Sequence, residues 1–507
     1  MALAPANRVS SDEKRPIASG GRYVLYWQIA ARRTRYNFAL EHAIARAGEL
    51  ARPLVVLEAL RCDYRWASDR LHRFVLQGMA DNARAYAQAR VAYYPYVEPK
   101  RGAGRGLLSA LADQGCLVVT DEFPCFFLPQ MVRAAAARLK IRLEVVDGNG
   151  LLPLSLPPAA FPTAYAFRRY LQRELPRHLG VTPMADPLSA YERKRPVAIA
   201  EEIVDRWPRA TGALLTDAAA LSSLPIDHGV RPSPIAGGPE EADARLEAFI
   251  DDRLDRYADG RNHPDDDLAS GLSPYLHFGH LSAHEVFARV AAHERWKPQK
   301  LSAKADGRKQ GWWGMRPSAE SFLDEVITWR ELGYVFCARR PDDYDQYSSL
   351  PDWARRSLDK HAADARKWTY SLAELEAART HDPLWNAAQR QLVEEGRIHN
   401  YLRMVWGKKI LEWGKTPRAA LENLIELNNK YALDGRDPNS YSGIFWTLGR
   451  FDRPWAPERA IFGVIRYMSS ENTAKKLHVK AYVRRFGQTA TAAEGVLRSR
   501  PTGRRAR

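Results

Sequence analysis

The pattern of secondary structure changes part-way along the chain, and this change restricts its fold more than any other feature. Between residues 22 and 150, apolar stretches typical of β-strands alternate with stretches of helical spacing. The predicted strands are RYVLYWQIA, RPLVVLEAL, VAYYPYVE, CLVVTDEF and IRLEVVDG. Strands that alternate with helices predict a doubly wound parallel sheet with helices on both faces.

Residues 241 to about 486 show helical spacing only. Asp382-Pro383 predicts the start of one helix, and Gly414 with Pro417 predicts the end of the next. The predicted helices lie in GPEEADARLEAFIDDRL, AHEVFARVAAHERW, SFLDEVITWRELGYVF, DPLWNAAQRQLVEEG and HNYLRMVWGKKILEWG. The sequence therefore predicts an α/β half followed by an all-α half.

Domain boundaries follow from these patterns. Residues 22–175 form the predicted α/β domain and residues 241–487 the all-helical domain, joined by a connector rich in proline and alanine at 176–240. Residues 1–21 and the basic residues 488–507 are predicted to be disordered tails. The first strand–helix turn lacks a GxGxxG sequence, so a dinucleotide fingerprint is missing there.

The chain is basic, with 76 lysines and arginines against 60 aspartates and glutamates, a net charge of +16. This balance favours a polyanionic partner, nucleic acid first. No apolar run is long enough to span a bilayer, and the N-terminal segment has no signal-peptide pattern. The four cysteines show neither metal-ligand spacing nor a disulfide framework. We therefore expect a cytoplasmic protein without a metal site.

Tryptophan is concentrated in the helical half, where eleven of the fourteen tryptophans lie between Trp296 and Trp455. Helical cores are usually built from aliphatic residues, because the bulky indole needs a partner for its N–H when buried. Trp406 and Trp413 are seven positions apart and so share nearly one face of a helix. The concentration indicates a flat ligand, stacked bases or electron transfer, whereas ordinary core packing is the alternative for any single tryptophan.

Glu325 lies on an apolar helix stripe with Phe322 and Trp329. A carboxylate there needs a specific hydrogen bond. The alternative to a functional role is a salt bridge to Arg330 or to an arginine of a neighbouring helix.

Two further segments carry polar groups that could bind a ligand. SGLSPYLHFGHLS, residues 270–282, places hydroxyls before a helix start, which suits a phosphate but is also an ordinary helix cap. Its HFGH lies too deep in the helical half for the similar motif of class I aminoacyl-tRNA synthetases. LNNKYALDGRDPNSYSGIFW, residues 427–446, is predicted to be a long polar loop that folds back on the core.

Together these segments resemble the class II cyclobutane pyrimidine dimer photolyases of the photolyase/cryptochrome family. The resemblance extends from about residue 22 to residue 486 and is densest in SGLSPYLHFG, FLDEVITWREL, DPLWNA, HNYLRMVWGKKILEW, LNNKYALDGRDPN and DRPW. It implies an antenna domain followed by an FAD domain, and light-driven repair of UV-damaged DNA. Excited, fully reduced FAD would give an electron to a flipped-out dimer and receive it back. A second, antenna chromophore would be a deazaflavin or a folate.

The resemblance also implies roles for individual residues. Arg403 and Asp434 match an ion pair beside the flavin ring, and Asn428 matches the asparagine that faces flavin N5. Glu325 would hydrogen-bond a pyrimidine carbonyl. Further implied cofactor residues are Tyr257, Ser270, Gly271, Leu272, Ser273, Phe322, Arg330, Gly435 and Arg436. The implied lesion and DNA residues are Glu325, Trp329, Met404, Trp446, Arg261, Asn400, Tyr401 and Arg466.

The tryptophans would then form an electron wire for flavin photoreduction. Trp406 follows Arg403 by three residues and should lie nearest the flavin. Trp385 and Trp413 are the next donors in either order, and Tyr370 is a candidate outer step. One alternative is a cryptochrome-like blue-light receptor, although such receptors usually have aspartate opposite N5. The other is a nucleic-acid-binding module that works without light. We expect a monomer, associated with the nucleoid if the source is prokaryotic.

Overall fold

A computed structural model describes residues 2–192 and 197–487 of the chain. A six-stranded sheet occupies the first part, in the order β1-β6-β5-β2-β3-β4. The five predicted strands form its parallel part and confirm the predicted fold class. The strands are β1 Val9–Ser11, β2 Tyr23–Gln28, β3 Leu54–Leu60, β4 Ala92–Val97, β5 Gly115–Asp121 and β6 Leu143–Val146.

Both faces of the sheet are buried, and alternate side chains of each strand pack on opposite faces. Val24 and Tyr26 pack on one face, against Phe38 and its neighbours. Leu25 and Trp27 pack on the other. The helices of this half and of the connector are α1 Phe38–Glu49, α2 Asp69–Gln88, α3 Leu107–Ala112, α4 Leu128–Arg138, α5 Ala164–Glu174, α6 Glu201–Arg206 and α7 Gly212–Thr216.

The predicted disorder of residues 1–21 is wrong for the segment that contains β1. Val9–Ser11 pairs antiparallel with β6 at the edge of the sheet. The preceding Arg8 is buried, its guanidinium lying 3.3 Å from the carboxylate of Asp147 and donating to the carbonyl of Leu151 at 2.7 Å. A buried arginine paired in this way anchors the segment to the domain. The predicted tail at 488–507 lies outside the described residues.

The connector packs on the sheet instead of bridging two separate bodies. Ile203 of α6 and the adjacent Trp207 belong to the same apolar cluster as Leu25 and Trp27. One large core also joins residues of the first part, such as Phe74, to the helical half. The predicted domain limits stay predictions.

The second half is helical, as predicted, and one predicted loop is shorter than expected. The polar segment 427–446 was predicted as a loop, but only residues 432–437 are non-helical. Asp437 caps the next helix by accepting from the N–H of Asn439 at 2.8 Å, and Pro438 takes the first helical position, so DPN is helix-start chemistry. The helices are α8 Pro239–Asp252, α9 Tyr257–Gly260, α10 Ser273–Phe278, α11 Ala283–His293, α12 Pro317–Leu323, α13 Arg330–Arg339, α14 Asp352–Lys360, α15 Leu372–Glu376, α16 Pro383–Glu395, α17 Asn400–Trp413, α18 Pro417–Tyr431, α19 Pro438–Thr447, α20 Ser470–Lys476 and α21 Lys480–Gly487.

The stretch predicted as one helix over SFLDEVITWRELGYVF contains a wider π-helical turn, Asp324–Trp329, between α12 and α13. Such turns are frequent at functional sites. Arg168 of α5 holds this turn through a buried ion pair with Asp324, with N–O distances of 2.8 and 2.9 Å. Within the described residues, no helix has the length and apolar character required to cross a membrane.

Candidate functional site

A cavity of about 380 Å³ lies within the helical half. Its wall is built from the start of α10, the π-helical turn, the first turn of α17, the segment after α18, and α21. Elements far apart in the chain therefore meet around one space. Nine predicted cofactor residues line it: Tyr257, Ser270, Gly271, Leu272, Ser273, Phe322, Arg330, Arg403 and Asp434.

The strongest charged feature of the cavity wall is the ion pair of Arg403 and Asp434. One guanidinium nitrogen of Arg403 lies 2.9 and 3.1 Å from the two carboxylate oxygens of Asp434. Burial by itself would raise the pKa of Asp434, but Arg403 and the hydroxyl of Ser273 outweigh it and lower that pKa. Asp434 therefore stays ionised and orients Arg403 at the wall.

The backbone at Gly271 brings the loop before α10 close to the cavity. Its φ of +70° is in the left-handed region that glycine adopts without strain. Ser270 Oγ accepts from the N–H of Leu272 at 3.4 Å across this turn. The turn exposes the hydroxyls of Ser270 and Ser273 on the wall, as predicted for a ligand-binding segment.

Three predicted cofactor residues lie behind the wall. Asn428 is buried and donates to Ser440 Oγ at 2.6 Å, and it is Ser440 that lines the cavity. Arg436 donates to the carbonyl oxygens of Ala432 and Leu433 at the end of α18. A Cβ on Gly435 would lie 2.7 Å from the carbonyl oxygen of Asn428. Gly435 and Arg436 therefore shape the turn that carries Asp434 and are not among the residues that line the cavity, and their role at the cofactor stays a prediction.

His399 is a wall residue that the sequence reasoning missed. It is 7% exposed, and neither ring nitrogen has a hydrogen-bond partner among the described residues. Burial lowers its pKa to about 4, so the ring is neutral and can both donate and accept. Buried polar groups are normally satisfied, so an unpaired imidazole on a cavity wall indicates a missing ligand. The family resemblance implied a role for the two residues that follow, Asn400 and Tyr401, but none for His399.

The remaining wall residues support His399 or add charge. Gln391 Oε1 accepts from the main-chain N–H of His399 at 3.1 Å and from the hydroxyl of Tyr482 at 2.7 Å. This fixes α21 over one side of the cavity. His277 also lines the wall, and burial lowers its pKa although the nearby carboxylate of Asp437 opposes the shift.

Glu325 lines the same cavity from the π-helical turn, and its carboxylate pairs with the guanidinium of Arg261. A salt bridge to an arginine of a neighbouring element was the alternative weighed for Glu325, and it is the arrangement found. The Glu325 side chain is still 30% exposed. Both charges therefore lie at the mouth of the cavity, where an incoming ligand could separate them.

Trp329 and Trp446 are half-buried side chains beyond the cavity wall. Trp446 lies between two basic side chains, with Lys408 Nζ 5.1 Å and the guanidinium of Arg466 5.7 Å from its ring centroid. The other predicted DNA residues are on α17: Asn400 is exposed and lines the cavity mouth, and Tyr401 and Met404 are partly buried.

The three predicted wire tryptophans form a contact chain. Trp385 Nε1 donates to the carbonyl oxygen of Trp406 at 3.1 Å, and the rings of Trp385 and Trp413 have centroids 5.3 Å apart. Tyr370 packs on Trp413 at 5.2 Å. Trp385 is therefore central, between Trp406 and Trp413, an order that the sequence left open.

A second cavity, of about 350 Å³, lies in the α/β half. It is lined by Trp27 of β2, Leu57 of β3, Tyr96 of β4 and residues of α3 and α4. These strand positions are at or near the carboxyl ends of the parallel strands, where α/β sheets bind ligands. The wall also has six charged residues, Arg32, Arg61, Asp63, Glu98, Arg105 and Arg138.

Curated proteins of known name are similar to this chain over nearly its whole length. It is 34% identical over 467 residues to the deoxyribodipyrimidine photo-lyase of Methanothermobacter thermautotrophicus, covering 92% of this chain and 95% of that protein. It is 33% identical over 479 residues to the rice protein of the same name, covering 91% and 87%. No protein-family model matches the chain.

The fold is also similar to a solved structure. The crystal structure of a bacterial class III photolyase from Agrobacterium tumefaciens superposes with a TM-score of 0.66 and covers 92% of this chain and 86% of that one. Sequence identity in this comparison is 18%, so it concerns the fold alone.

Proposed function

The chain belongs to the deoxyribodipyrimidine photolyase family, and we propose that it repairs cyclobutane pyrimidine dimers in DNA with fully reduced FAD as electron donor. At the coarser level the relatives support a lyase that repairs DNA lesions in light, binds damaged DNA and carries a flavin. The relatives carry the photolyase name, and this does not favour the receptor alternative.

One observation carries the choice of FAD and its place. The cavity of about 380 Å³ has an oriented arginine, Arg403, on its wall and an unpaired buried imidazole, His399, beside it. A large ligand with hydrogen-bonding edges and an electron-rich ring would satisfy both. FAD is such a ligand, and when excited in its fully reduced state it supplies the electron that opens the dimer and takes it back.

The residues around the cavity then have separable tasks. Arg403, held by Asp434, places a positive charge where a reduced flavin ring carries negative charge. Ser270 and Ser273 offer hydroxyls to the phosphate and ribityl part. Asn428 acts on the flavin edge only through Ser440, to which it donates.

The lesion side is formed by Glu325, Arg261, Trp329 and Trp446. Without substrate, the Glu325 carboxylate is occupied by Arg261. We propose that the DNA backbone attracts Arg261 and releases Glu325 to hydrogen-bond a pyrimidine carbonyl, where it stabilises the negative charge of the reacting dimer. Trp329 and Trp446 stack on the flipped-out bases.

Photoreduction of oxidised flavin uses the contact chain of tryptophans in the order Trp406, Trp385, Trp413. Trp406 follows Arg403 by one helical turn and so lies nearest the cofactor wall. The Trp385 indole N–H contacts the main-chain carbonyl oxygen of Trp406, and the Trp413 ring packs on the Trp385 ring. The chain carries electrons inward from Tyr370, which packs on Trp413.

The second cavity supports an antenna chromophore in the α/β half. Its apolar wall of Trp27, Leu57 and Tyr96 suits a planar aromatic ring system such as a deazaflavin or a folate. We further propose a monomer of the class II group that works in the cytoplasm.

The experiment that tests the proposed function has two readouts on one preparation. The purified protein should have flavin absorption, and an oligonucleotide containing a thymine dimer should be restored only when the chemically reduced protein is illuminated with blue light. A colourless protein, or one that binds flavin without restoring the dimer in light, would contradict it.

A further inference from the structure

A group of aromatic rings lies outside the cofactor cavity, at the outer end of the tryptophan chain. Tyr370 and Trp368 come from the segment between α14 and α15, His381 precedes α16, and Trp413 ends α17. The His381 ring stacks on Trp368 at 4.5 Å and meets Trp413 edge-on at 5.5 Å. Trp368 is 43% exposed, so the group reaches from the buried chain to solvent.

Tyr370 and His381 share two hydrogen bonds. The Tyr370 hydroxyl oxygen lies 2.6 Å from His381 Nδ1, and the same oxygen accepts from the N–H of His381 at 3.1 Å. This geometry lets the Tyr370 hydroxyl donate to Nδ1 when the ring proton of His381 lies on Nε2. His381 is exposed, so Nε2 can exchange with water.

A tyrosine can give up an electron at modest cost only if its phenolic proton leaves with the electron. A base that receives this proton must be within hydrogen-bond distance. Neutral imidazole is the usual base at physiological pH. Tryptophan has no such requirement, and the three buried tryptophans have main-chain, amide or ring neighbours instead of a base at their N–H.

We propose that His381 is the proton acceptor that allows Tyr370 to act as the terminal electron donor of the wire. This rests on the proposed function, since the oxidant is Trp413 after it has lost an electron toward light-excited oxidised flavin. One electron passes from Tyr370 to the Trp413 radical cation and restores neutral Trp413. The Tyr370 O–H bond breaks, and its proton forms an N–H bond at His381 Nδ1. The products are a neutral tyrosyl radical and an imidazolium.

Both products return to their starting states without a further group in the protein. The imidazolium releases its Nε2 proton to water and is then neutral. Proton exchange with water returns the remaining ring proton from Nδ1 to Nε2. A thiol in solution gives a hydrogen atom, an electron with a proton, to the tyrosyl radical. The net result of one cycle is one electron delivered inward, one proton released to water and one thiol oxidised to a thiyl radical, which pairs with a second thiyl radical to form a disulfide.

The surrounding charges favour electron transfer from Tyr370 to the Trp413 radical cation. Lys409 Nζ lies 5.8 Å from the centroid of the Trp413 ring, and a cation there makes the Trp413 radical cation more costly. Lys409 is itself paired with Glu412 at 3.0 Å and lies 4.0 Å from Asp382. Glu471 of α20 is close enough to His381 to interact with it electrostatically. Lys367 Nζ lies 6.0 Å from the centroid of the Trp368 ring and is a further cation on this side.

The test is flash photolysis of the oxidised, flavin-loaded protein with time-resolved detection of tryptophan and tyrosyl radicals. In the unaltered protein, the tyrosyl signal should grow as the tryptophan signal decays, more slowly in heavy water and more slowly at pH 5, where imidazoles are protonated. His381→Gln keeps a hydrogen-bond acceptor but removes the base. It should slow tyrosyl formation by about a hundredfold or more and prolong the tryptophan signal.

Two further variants separate the proton role from packing. Imidazole added to His381→Ala should restore tyrosyl formation, because it can occupy the vacated space. Tyr370→Phe should have the long-lived tryptophan signal at every pH. Equal tyrosyl rates in His381→Gln and the unaltered protein, or a tryptophan signal in the unaltered protein that decays without a tyrosyl signal, would overturn the inference. Failure to form any tryptophan radical would contradict the proposed wire instead.

Discussion

The indole N–H of Trp385 donates a hydrogen bond of 3.1 Å to the main-chain carbonyl oxygen of Trp406. The two residues are on neighbouring helices, α16 and α17, and both rings are almost completely buried. This contact makes Trp385 the second ring of the proposed wire and Trp413 the third.

Replacing Trp406 with phenylalanine should abolish photoreduction of the bound flavin. The change leaves Gln389 Oε1 without the donor that now lies 2.9 Å away, which costs roughly 1 kcal/mol, so the fold and flavin should remain. Steady illumination with a thiol, followed by flavin absorption, measures the effect. Trp312→Phe is the matched control, because Trp312 is also buried and its N–H has no partner among the described residues. Normal photoreduction in Trp406→Phe would return this residue to a packing role.

Asp434→Ala should lose most of the flavin during purification. Arg403 would keep its charge but lose the carboxylate that orients it at 2.9 Å. Asp434→Asn, which keeps a hydrogen-bond acceptor without the charge, should retain an intermediate amount. The ratio of flavin to protein absorbance measures both. Asp343→Ala, which breaks the ion pair with Arg340 at a partly exposed site, is the control and should keep full flavin. Full and stable flavin in Asp434→Ala would count against the cofactor assignment.

Glu325→Ala should lower the repair yield per absorbed photon while flavin absorption stays unchanged. The carboxylate acts on the dimer in the proposed mechanism, and its present partner is Arg261, not a cofactor group. Arg261→Ala should instead weaken binding of damaged DNA and leave flavin absorption unchanged. Dimer repair under a calibrated light source, compared with binding to the same oligonucleotide, separates the two. An unchanged quantum yield in Glu325→Ala would refute its role.

Trp446→Ala should weaken binding of dimer-containing DNA by roughly 1–3 kcal/mol, the usual value of a base stacked on an aromatic ring. Binding of undamaged duplex should change little, because phosphate contacts carry it. Fluorescence anisotropy with matched damaged and undamaged oligonucleotides measures the difference. Equal losses for both DNAs would indicate that Trp446 supports the surface without contacting the lesion.

Lys408 should make stability depend on pH. Burial lowers its pKa to about 7, Asp452 opposes this shift, and the ammonium donates to the Thr447 carbonyl at 2.6 Å. Above pH 7 the folded protein has lost this proton while the unfolded chain keeps it up to pH about 10.4. The unfolded state then binds more protons, so the Lys408 contribution to unfolding free energy rises with pH.

The measurement is urea unfolding of the unaltered protein and of Lys408→Met at pH 8 and pH 9. The difference between their unfolding free energies should change by about 1.4 kcal/mol over that pH unit, in favour of the unaltered protein at pH 9. Lys430→Met is the control, because burial lowers the pKa of Lys430 but Glu376 raises it further, and it should show no such slope in this range. A difference that is constant with pH would mean that Lys408 stays charged when folded.

The sequence by itself determined the class of most elements and the order of the motifs. Period-two and helical patterns are local, and caps such as Asp382-Pro383 mark helix starts directly, so the five parallel strands and the five quoted helical segments were predictable. The family resemblance also named nine residues of the cavity wall as cofactor residues. It did not distinguish Asp434, which lies on the wall, from Arg436, whose guanidinium donates to main-chain carbonyl oxygens of its own turn.

Only the tertiary structure decided which distant groups meet. The edge strand at Val9–Ser11 exists because β6 offers it a partner, and the π-helical turn is held by Arg168, which is 156 residues away from Asp324 in the chain. The pairing of Glu325 with Arg261, the order of Trp385 and Trp413, and the hydrogen bond between Tyr370 and His381 depend in the same way on packing between elements. Local sequence patterns carry no distance between such residues, because burial and pairing are decided only when the helices pack against one another.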